Sequence, residues 1–160
     1  MDKFIMRNLL LLIFIFCIAL GLRIYNLEGM PSGFHRDEVI SGYFGRFVLE
    51  HGKDVYGNVF PLLYIDKYGD YPPAIPMYFS GLGTYLFGFT VFATRFPVAL
   101  IGALTVFLMY LLVWELWKDK RIALFSALII AILPWHIVLS RATAEGVIAD
   151  GLADEIDRAT

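Results

Sequence analysis

The chain has 160 residues and a formal net charge of -2, and 59% of its residues are hydrophobic. With a mean hydropathy of +0.68, it lies well outside the usual range of soluble domains, so we expect a membrane-embedded chain. The weakly acidic charge provides no basic field for a nucleic acid, which excludes that class of partner. The single cysteine, Cys17, lies in an apolar run, and one cysteine cannot form a disulfide framework.

The first predicted element is a membrane span at about residues 8–27. Lys3 and Arg7 precede the apolar run and Arg23 lies near its end; because arginines can snorkel to the interface, roughly 20 residues can cross the bilayer. A cleaved signal peptide is the alternative, since a positive start and a short apolar core are typical of both. The small-residue cleavage pattern around residues 19–21 is weak, which favours an uncleaved anchor.

A long connection at about residues 25–95 follows, in which acids, bases and aromatic residues are interleaved. Apolar residues recur at helical spacing over 37–51, which predicts an amphipathic helix that either lies on the membrane or packs against its own protein. Glycines and prolines then break the chain. Pro73 can open a further helix, which we expect to end at Gly88 and to lie at the outer interface.

Two further spans are predicted at about residues 96–117 and 122–139. The basic cluster at 118–121 and the basic N-terminus then both face the cytoplasm, in agreement with the positive-inside rule, and the long connection lies outside. A fourth span at 74–94 would separate the two basic clusters, and Arg95 alone is too short to form the hairpin before the next apolar run. The predicted fold class is all-α, a polytopic membrane protein with three transmembrane helices and a long outer loop that carries interfacial helices.

The densest group of ionisable side chains is the hexapeptide Gly33-Phe34-His35-Arg36-Asp37-Glu38 in the predicted outer loop. Ionisable groups beside a membrane cost free energy unless they are paired or functional, so this acidic hexapeptide is the first candidate site. Asp37 has a structural alternative, as the N-cap of the following helix. His35 has no helical histidine partner, which argues against a zinc site, and we expect no metal and no other cofactor.

Four further motifs follow in order: Tyr56-Gly57, Tyr68-Gly69-Asp70-Tyr71-Pro72-Pro73, Arg95-Phe96-Pro97, and Pro134-Trp135-His136 with Ser140-Arg141. Pro134 is expected to kink the third span. Together with the short N-terminal span and the acidic hexapeptide, this order and spacing resemble the N-terminal part of GT-C glycosyltransferases of family 39, the protein mannosyltransferase and aminoarabinose transferase group. The resemblance covers roughly residues 7–145.

The resemblance implies an enzyme that transfers a sugar from a polyprenyl-phosphate carrier to a protein or glycolipid acceptor on the outer face of the plasma membrane. Asp37 and Glu38 match the family's acidic pair, and Asp37 is the expected general base of an inverting transfer. Arg141 is the first candidate for stabilising the carrier phosphate, and Arg36 is the second. The other candidate substrate-binding residues are His35, Tyr68, Asp70, Tyr71 and Glu145.

Structural alternatives remain for several of these residues. Tyr68 and Tyr71 are equally good interfacial anchors, and Asp70 before a Tyr-Pro-Pro sequence is typical of a turn. Family members have more spans than the three predicted here, and the acidic stretch 146–160 does not resemble their continuation. We therefore expect a truncated or frame-shifted product with little transferase activity on its own.

The competing class is a non-enzymatic membrane protein, either a lipid-binding scaffold subunit or part of a transporter. Transporters tend to place charged groups and broken helices at mid-membrane. In this chain the charged residues concentrate in the predicted outer loop, which favours the transferase.

Overall fold

The computed structural model describes residues 3–66, 69 and 71–142, and their regular structure is helical. The described residues form α1 (Lys3–Ile24), α2 (Arg36–His51), α3 (Ala74–Phe87), α4 (Val91–Trp117), α5 (Lys120–Ile132) and α6 (Pro134–Leu139). Two isolated antiparallel bridges, Lys53 with Val59 and Tyr64 with Pro73, fasten the connection between α2 and α3. The all-α prediction is confirmed for this part of the chain.

The chain divides into two compact units. The span unit comprises the residues up to Asn26 together with Ala99–Arg141, and the loop unit comprises Leu27–Val98. The long helix α4 contributes its first turns to the loop unit and the remainder to the span unit. Each unit has its own buried apolar cluster, so each is described by itself.

Two helices are long and apolar enough to cross a membrane. The stretches Met6–Ile24 and Val91–Trp117 have mean hydropathies of 2.1 and 2.4. Only 22% and 28% of their most apolar windows are buried within the chain, whereas the core helix of a soluble protein would be mostly buried. Their large exposed apolar surface is therefore what a lipid-facing helix requires.

The span unit packs through small residues. Its buried cluster includes four alanines that are fully inaccessible to solvent, namely Ala19, Ala103, Ala127 and Ala131. A side chain at Gly102 would meet the Cβ atom of Ser140 at 2.2 Å. Close approach of helix backbones through alanine and glycine is the usual way in which helices associate in lipid, where large apolar side chains are as well solvated by lipid tails as by protein.

A break between α5 and α6 interrupts the third predicted span, and Pro134 is the first residue of α6. Pro134 has no N–H group, so the carbonyl of Ile130 lacks its helical donor. The buried guanidinium of Arg23 donates to the carbonyls of Ala131 at 3.0 Å and of Ile130 at 3.3 Å. The kink expected at Pro134 is thus a complete break, and an arginine from α1 supplies hydrogen bonds to the carbonyls at the break.

The loop unit is organised by the contact between α2 and α3. Its buried residues include Phe44, Val48 and Met77. The two helices touch through glycines, since a Cβ atom on Gly45 would lie 1.8 Å from the carbonyl oxygen of Met77, and one on Gly81 would lie 2.2 Å from the carbonyl carbon of Gly45. Of the two alternatives for the amphipathic helix, packing against its own protein is therefore observed.

The boundaries of α3 and α4 alter one step of the topology argument. α3 has Pro73 and Gly88 as its caps, as predicted, and its 14 residues extend about 21 Å, too short for a hydrocarbon core of about 30 Å. α4 begins at Val91 rather than at Phe96 because Thr90 Oγ1 accepts the N–H of Ala93 at 3.1 Å. The expectation that Arg95 would have to form the connection is wrong, because residues 88–90 form it.

Candidate functional site

The acidic hexapeptide forms the first turn of α2 and the loop before it. His35 is the N-cap residue, and its Nδ1 accepts the backbone N–H of Asp37 at 3.3 Å, so the proton of the neutral ring is on Nε2. Glu38 Oε2 accepts the backbone N–H of His35 at 3.2 Å, which completes a capping box. The structural alternative for Asp37, as the helix N-cap, is therefore wrong.

Glu38 and Arg95 form a buried ion pair between α2 and α4, with side chains 0% and 1% exposed. Arg95 Nε donates to Glu38 Oε1 at 2.9 Å, and the second terminal nitrogen of Arg95 donates to Oε2 at 2.8 Å. This parallel arrangement is the strongest geometry available to an arginine and a carboxylate. It also gives each oxygen of the buried carboxylate a donor, which a buried charge needs to offset its desolvation.

The same guanidinium holds the loop that precedes α2. Its first terminal nitrogen donates to the carbonyls of Leu27 at 2.9 Å and Pro31 at 3.1 Å, and its second donates to the carbonyl of Gly33 at 2.6 Å. Arg95 therefore joins three backbone positions of this loop to the first turn of α2. The position of Asp37 depends on this set of hydrogen bonds.

Asp37 differs from its neighbour in exposure. Its side chain is 39% exposed, and its Oδ2 lies 3.5 Å from Nδ1 of His35. It is the second residue of α2, where the helix dipole favours a negative charge. Arg36, the first residue of the helix, is also exposed. The first turn of α2 thus exposes the Asp37 carboxylate to solvent, and the hydrogen bonds of Arg95 hold the preceding backbone in place.

A second acid of the loop unit, Asp54, organises the turn at residues 54–58. It is buried and accepts the backbone N–H groups of Tyr56 at 2.9 Å and Asn58 at 2.8 Å, as well as the side-chain amide of Asn58 at 2.8 Å. Burial alone would raise the pKa of this carboxyl group, but the hydrogen bonds from Asn58, Tyr56 and Gly57 hold its pKa below the usual range. Asp54 is therefore a structural acid.

The remaining predicted site residues lie in different places. Tyr71 is exposed and packs edge-to-face against Tyr64, with ring centroids 5.2 Å apart. Arg141 belongs to the span unit, where it donates to carbonyls at the end of α1, those of Leu22, Tyr25 and Asn26, at 3.1, 2.6 and 3.1 Å. The expectations that Arg141 emerges on the same side as Asp37 and stabilises the carrier phosphate stay predictions.

Three predicted site residues, Tyr68, Asp70 and Glu145, lie outside the described residues, as does the acidic stretch 146–160. Within the described part of the chain, no group of three or more His, Cys, Asp or Glu side chains is placed to hold a metal ion. The metal and cofactor expectations therefore stay predictions.

Arg95 was predicted only as part of a motif, without a role, and Arg23 only as a charge that flanks the first span. Both arginines carry a signal that was available in the sequence. Arg95 is the only charged residue between Asp70 and Glu115, and Arg23 is the only one between Arg7 and Glu28. An isolated cation in an apolar stretch needs a buried partner, and that requirement marks it as a structural or functional centre.

Comparison with known proteins identifies the family. Residues 6–145 match the family described as dolichyl-phosphate-mannose-protein mannosyltransferase. The chain belongs to this family. The resemblance to GT-C glycosyltransferases, drawn from the order of the motifs, is thereby confirmed, and the two long apolar helices agree with a membrane protein of this kind.

One curated relative shows the scale of the match. Over 104 residues the chain is 32% identical to the undecaprenyl phosphate-alpha-4-amino-4-deoxy-L-arabinose arabinosyl transferase of Pseudomonas savastanoi pv. phaseolicola (strain 1448A / Race 6). The matched segment is 62% of this chain and 19% of that relative, so the chain covers less than a fifth of the relative's length. No solved structure matches the chain.

Proposed function

We propose that this mannosyltransferase-family chain is part of an enzyme that transfers a sugar from a polyprenyl-phosphate carrier to an acceptor hydroxyl at the outer face of the membrane. The names of the family and of the arabinosyl transferase both specify a sugar carried on a dolichyl or undecaprenyl phosphate. A carrier of this class needs an enzyme in the membrane, and the two long apolar helices supply that setting.

The unequal placement of the two adjacent acids is the observation that carries the mechanism. Glu38 is fully buried and paired with Arg95, so protonating it during catalysis would leave the arginine charge buried and unpaired. Asp37 is partly exposed on the same turn. We therefore assign Asp37 as the general base and Glu38 as the residue that orients it.

The reaction is an inverting displacement at the anomeric carbon. As the acceptor oxygen attacks that carbon, the Asp37 carboxylate takes the hydroxyl proton. The bond between the anomeric carbon and the phosphate oxygen breaks on the opposite side, and its electron pair remains on the polyprenyl phosphate. The step is balanced: one glycosidic bond forms, the bond between the sugar and the phosphate breaks, and the proton of the acceptor hydroxyl moves to Asp37.

The leaving phosphate gains negative charge and requires a cation. Arg141, the first candidate from the sequence, and Arg36, which is exposed on the first turn of α2, are the proposed partners, because each carries a permanent positive charge. His35, Tyr71 and the undescribed Tyr68, Asp70 and Glu145 are proposed to line the sugar and acceptor sites.

Asp37→Asn in a full-length family enzyme that carries this segment tests the assignment. A base that acts in the transition state contributes about 10²- to 10⁴-fold, so kcat should fall by that factor while carrier binding changes little. Transfer of radiolabelled sugar from the carrier gives kcat and KM. Glu28→Gln, which removes the charge of an exposed acid in the same unit, is the matched control and should keep full activity.

A role of Asp37 in folding alone predicts a different outcome. Asparagine and aspartate have nearly the same shape, so a purely structural Asp37 would leave transfer within a few-fold of the wild-type rate. That result would remove Asp37 from the chemistry.

A further inference from the structure

A cleft on the exposed side of α2 has no place in the proposed mechanism. It has a volume of about 470 Å³ and lies wholly within the loop unit. Its lining residues are Tyr43, Arg46, Phe47, Glu50, His51 and Phe89. Clefts of roughly 300–1,000 Å³ are the size that encloses a small ligand.

Aromatic rings form the walls of this cleft. The rings of Phe47 and His51 stack face to face with centroids 4.2 Å apart and planes 19° apart, so each ring holds the other in a fixed orientation. Tyr43 is 54% exposed and Phe89 is 44% exposed, so both present ring area that the chain itself does not cover. Flat aromatic surfaces bind ligands that have an apolar face and a polar edge.

Hydrogen-bonding groups stand between these rings. Arg46 donates to Glu50 Oε1 at 2.7 Å and to the carbonyl of Thr84 at 3.2 Å, which fixes the charged pair against α3. His51 Nδ1 donates to the carbonyl of Phe47 at 3.0 Å, so Nε2 of the neutral ring is an acceptor. Among the described residues, the second oxygen of Glu50 has no hydrogen-bond partner.

We infer that this cleft is a binding site for a pyranose ring. A pyranose has C–H faces that suit the aromatic walls and an edge of hydroxyl groups that suits a carboxylate, a guanidinium and an imidazole nitrogen. A lipid tail would leave the charged pair desolvated without new partners, which opposes binding. The source of the sugar is inferred from the proposed function, whereas the site itself is inferred from the cleft alone.

The cleft adjoins the acidic hexapeptide. Phe89, in its wall, contacts Phe34 with ring centroids 6.5 Å apart, and Phe34 precedes the N-cap residue His35. Arg36 and Tyr43 are seven residues apart on α2, so they share one face of the helix. A sugar in this cleft therefore belongs either to the carrier-linked donor or to a glycosylated acceptor of the same reaction.

The test uses the 160-residue chain in lipid nanodiscs and methyl α-D-mannopyranoside as the probe. Saturation-transfer difference NMR should show saturable binding with a Kd on the order of 1 mM, the affinity expected for a ligand of this size. Glu50→Gln and Tyr43→Leu should each weaken binding about tenfold, because each removes one group that contacts the ring.

Two matched controls lie outside the cleft. Tyr85 is 55% exposed on α3, and Glu115 forms an exposed ion pair with Lys118 three residues away. Tyr85→Leu and Glu115→Gln should bind the pyranoside as the wild type does. Absence of saturable binding, or equal losses in the cleft variants and these controls, would overturn the inference.

A second titration identifies the source of the sugar. A water-soluble short-chain prenyl-phosphate mannose that displaces the methyl pyranoside would assign the cleft to the donor, and simultaneous binding of both would assign it to the acceptor. Because binding is measured without turnover, a negative binding result would refute the pyranose site without bearing on the proposed function. Unchanged transfer by Asp37→Asn would refute the mechanism and leave the pyranose site standing.

Discussion

Two buried arginines hold the irregular backbone of this protein in place. Arg95 hydrogen-bonds three loop carbonyls and pairs with Glu38. Arg23 donates to the carbonyls of Ala19 at 2.9 Å and of the α5–α6 break, and it lies 2.7 Å from Nδ1 of His136. The planar guanidinium carries five N–H donors in a fixed fork, which suits it to fastening several carbonyls where water is scarce.

The ion pair between Glu38 and Arg95 should show strong coupling. Arg95→Leu alone leaves a buried carboxylate unpaired and should lower the free energy of unfolding by about 3–5 kcal/mol. The double variant with Glu38→Leu should lose much less than the sum of the two single variants, because no isolated charge remains. Chemical unfolding of the chain in detergent measures all four states of the cycle, and additive losses would contradict the pairing.

Asp54 should make the loop unit sensitive to acid. Its pKa in the folded chain lies below its ordinary value of 3.8. The stabilisation is therefore complete above that ordinary value and is lost as the pH falls through the folded pKa. We expect the unfolding temperature of the wild type to drop more than that of Asp54→Asn between about pH 5 and pH 3.

Other acids also titrate in this range, so the comparison between variants is the informative quantity. Glu28→Gln, at an exposed position, should retain the full wild-type drop. Equal pH dependence of Asp54→Asn and the wild type would show that the turn at residues 54–58 does not depend on the ionised carboxylate.

The acidic hexapeptide was predicted from the sequence as a candidate site, which stays a prediction, but the different burial of its two acids was not predictable. Their difference arises from Arg95, which is 57 residues away from Glu38 in the chain. The N-cap was also misplaced by two residues, because histidine is not among the common capping residues. A pairing between residues far apart in the chain and an unusual cap residue cannot be predicted from a local sequence pattern.

At the scale of elements, helix existence was predictable and helix boundaries were less so. α3 has the predicted caps, since proline and glycine mark helix ends strongly. α4 begins before Phe96 because Thr90 caps it, and Pro97 is accommodated inside the helix. Pro97 has no N–H group to donate to the carbonyl of Ala93. That carbonyl instead lies close to Gly83, where an added Cβ atom would be 1.9 Å from its oxygen.

The glycine contact between α2 and α3 should tolerate no side chain. Gly45→Ala would bring a methyl group onto the backbone of α3, and forcing the helices apart should lower the free energy of unfolding by about 1–3 kcal/mol or more. Gly21→Ala, where nothing lies within 4 Å, is the matched helical control and should be neutral or slightly stabilising. Thermal unfolding in detergent distinguishes them, and equal stability of both variants would contradict the close contact.

For the whole molecule, the three-span topology rests on charge. The basic residues at the start of α1 and the basic cluster at 118–121, between α4 and α5, lie on one side only if α3 does not cross the membrane. α3 is too short to cross the membrane, which agrees with this arrangement. The argument that no residues were available for a hairpin before α4 does not support it, because residues 88–90 form that connection. We propose that α1, α4 and the pair α5–α6 cross the membrane, and that the connection at residues 25–90 lies outside.

Thiol labelling tests this topology on intact cells. In a Cys17→Ala background, Lys53→Cys should react with an impermeant maleimide and Asp119→Cys should not, although both should react after lysis. Asp119→Cys loses the N-cap of α5, which costs about 1 kcal/mol and leaves the charges that orient the chain in place. Labelling of Asp119→Cys in intact cells would instead indicate four spans.

The hydrogen bonds of Arg23 also set an order of events during synthesis. Its acceptor at Ala131 is 108 residues further along the chain, which a ribosome reaches about 5–20 s later at usual elongation rates. During that interval the guanidinium has no α5 to bind and must stay at the aqueous boundary of the bilayer. We therefore expect the first helix to reach its final depth only after α5 arrives, so that the later segments of this protein complete its membrane insertion.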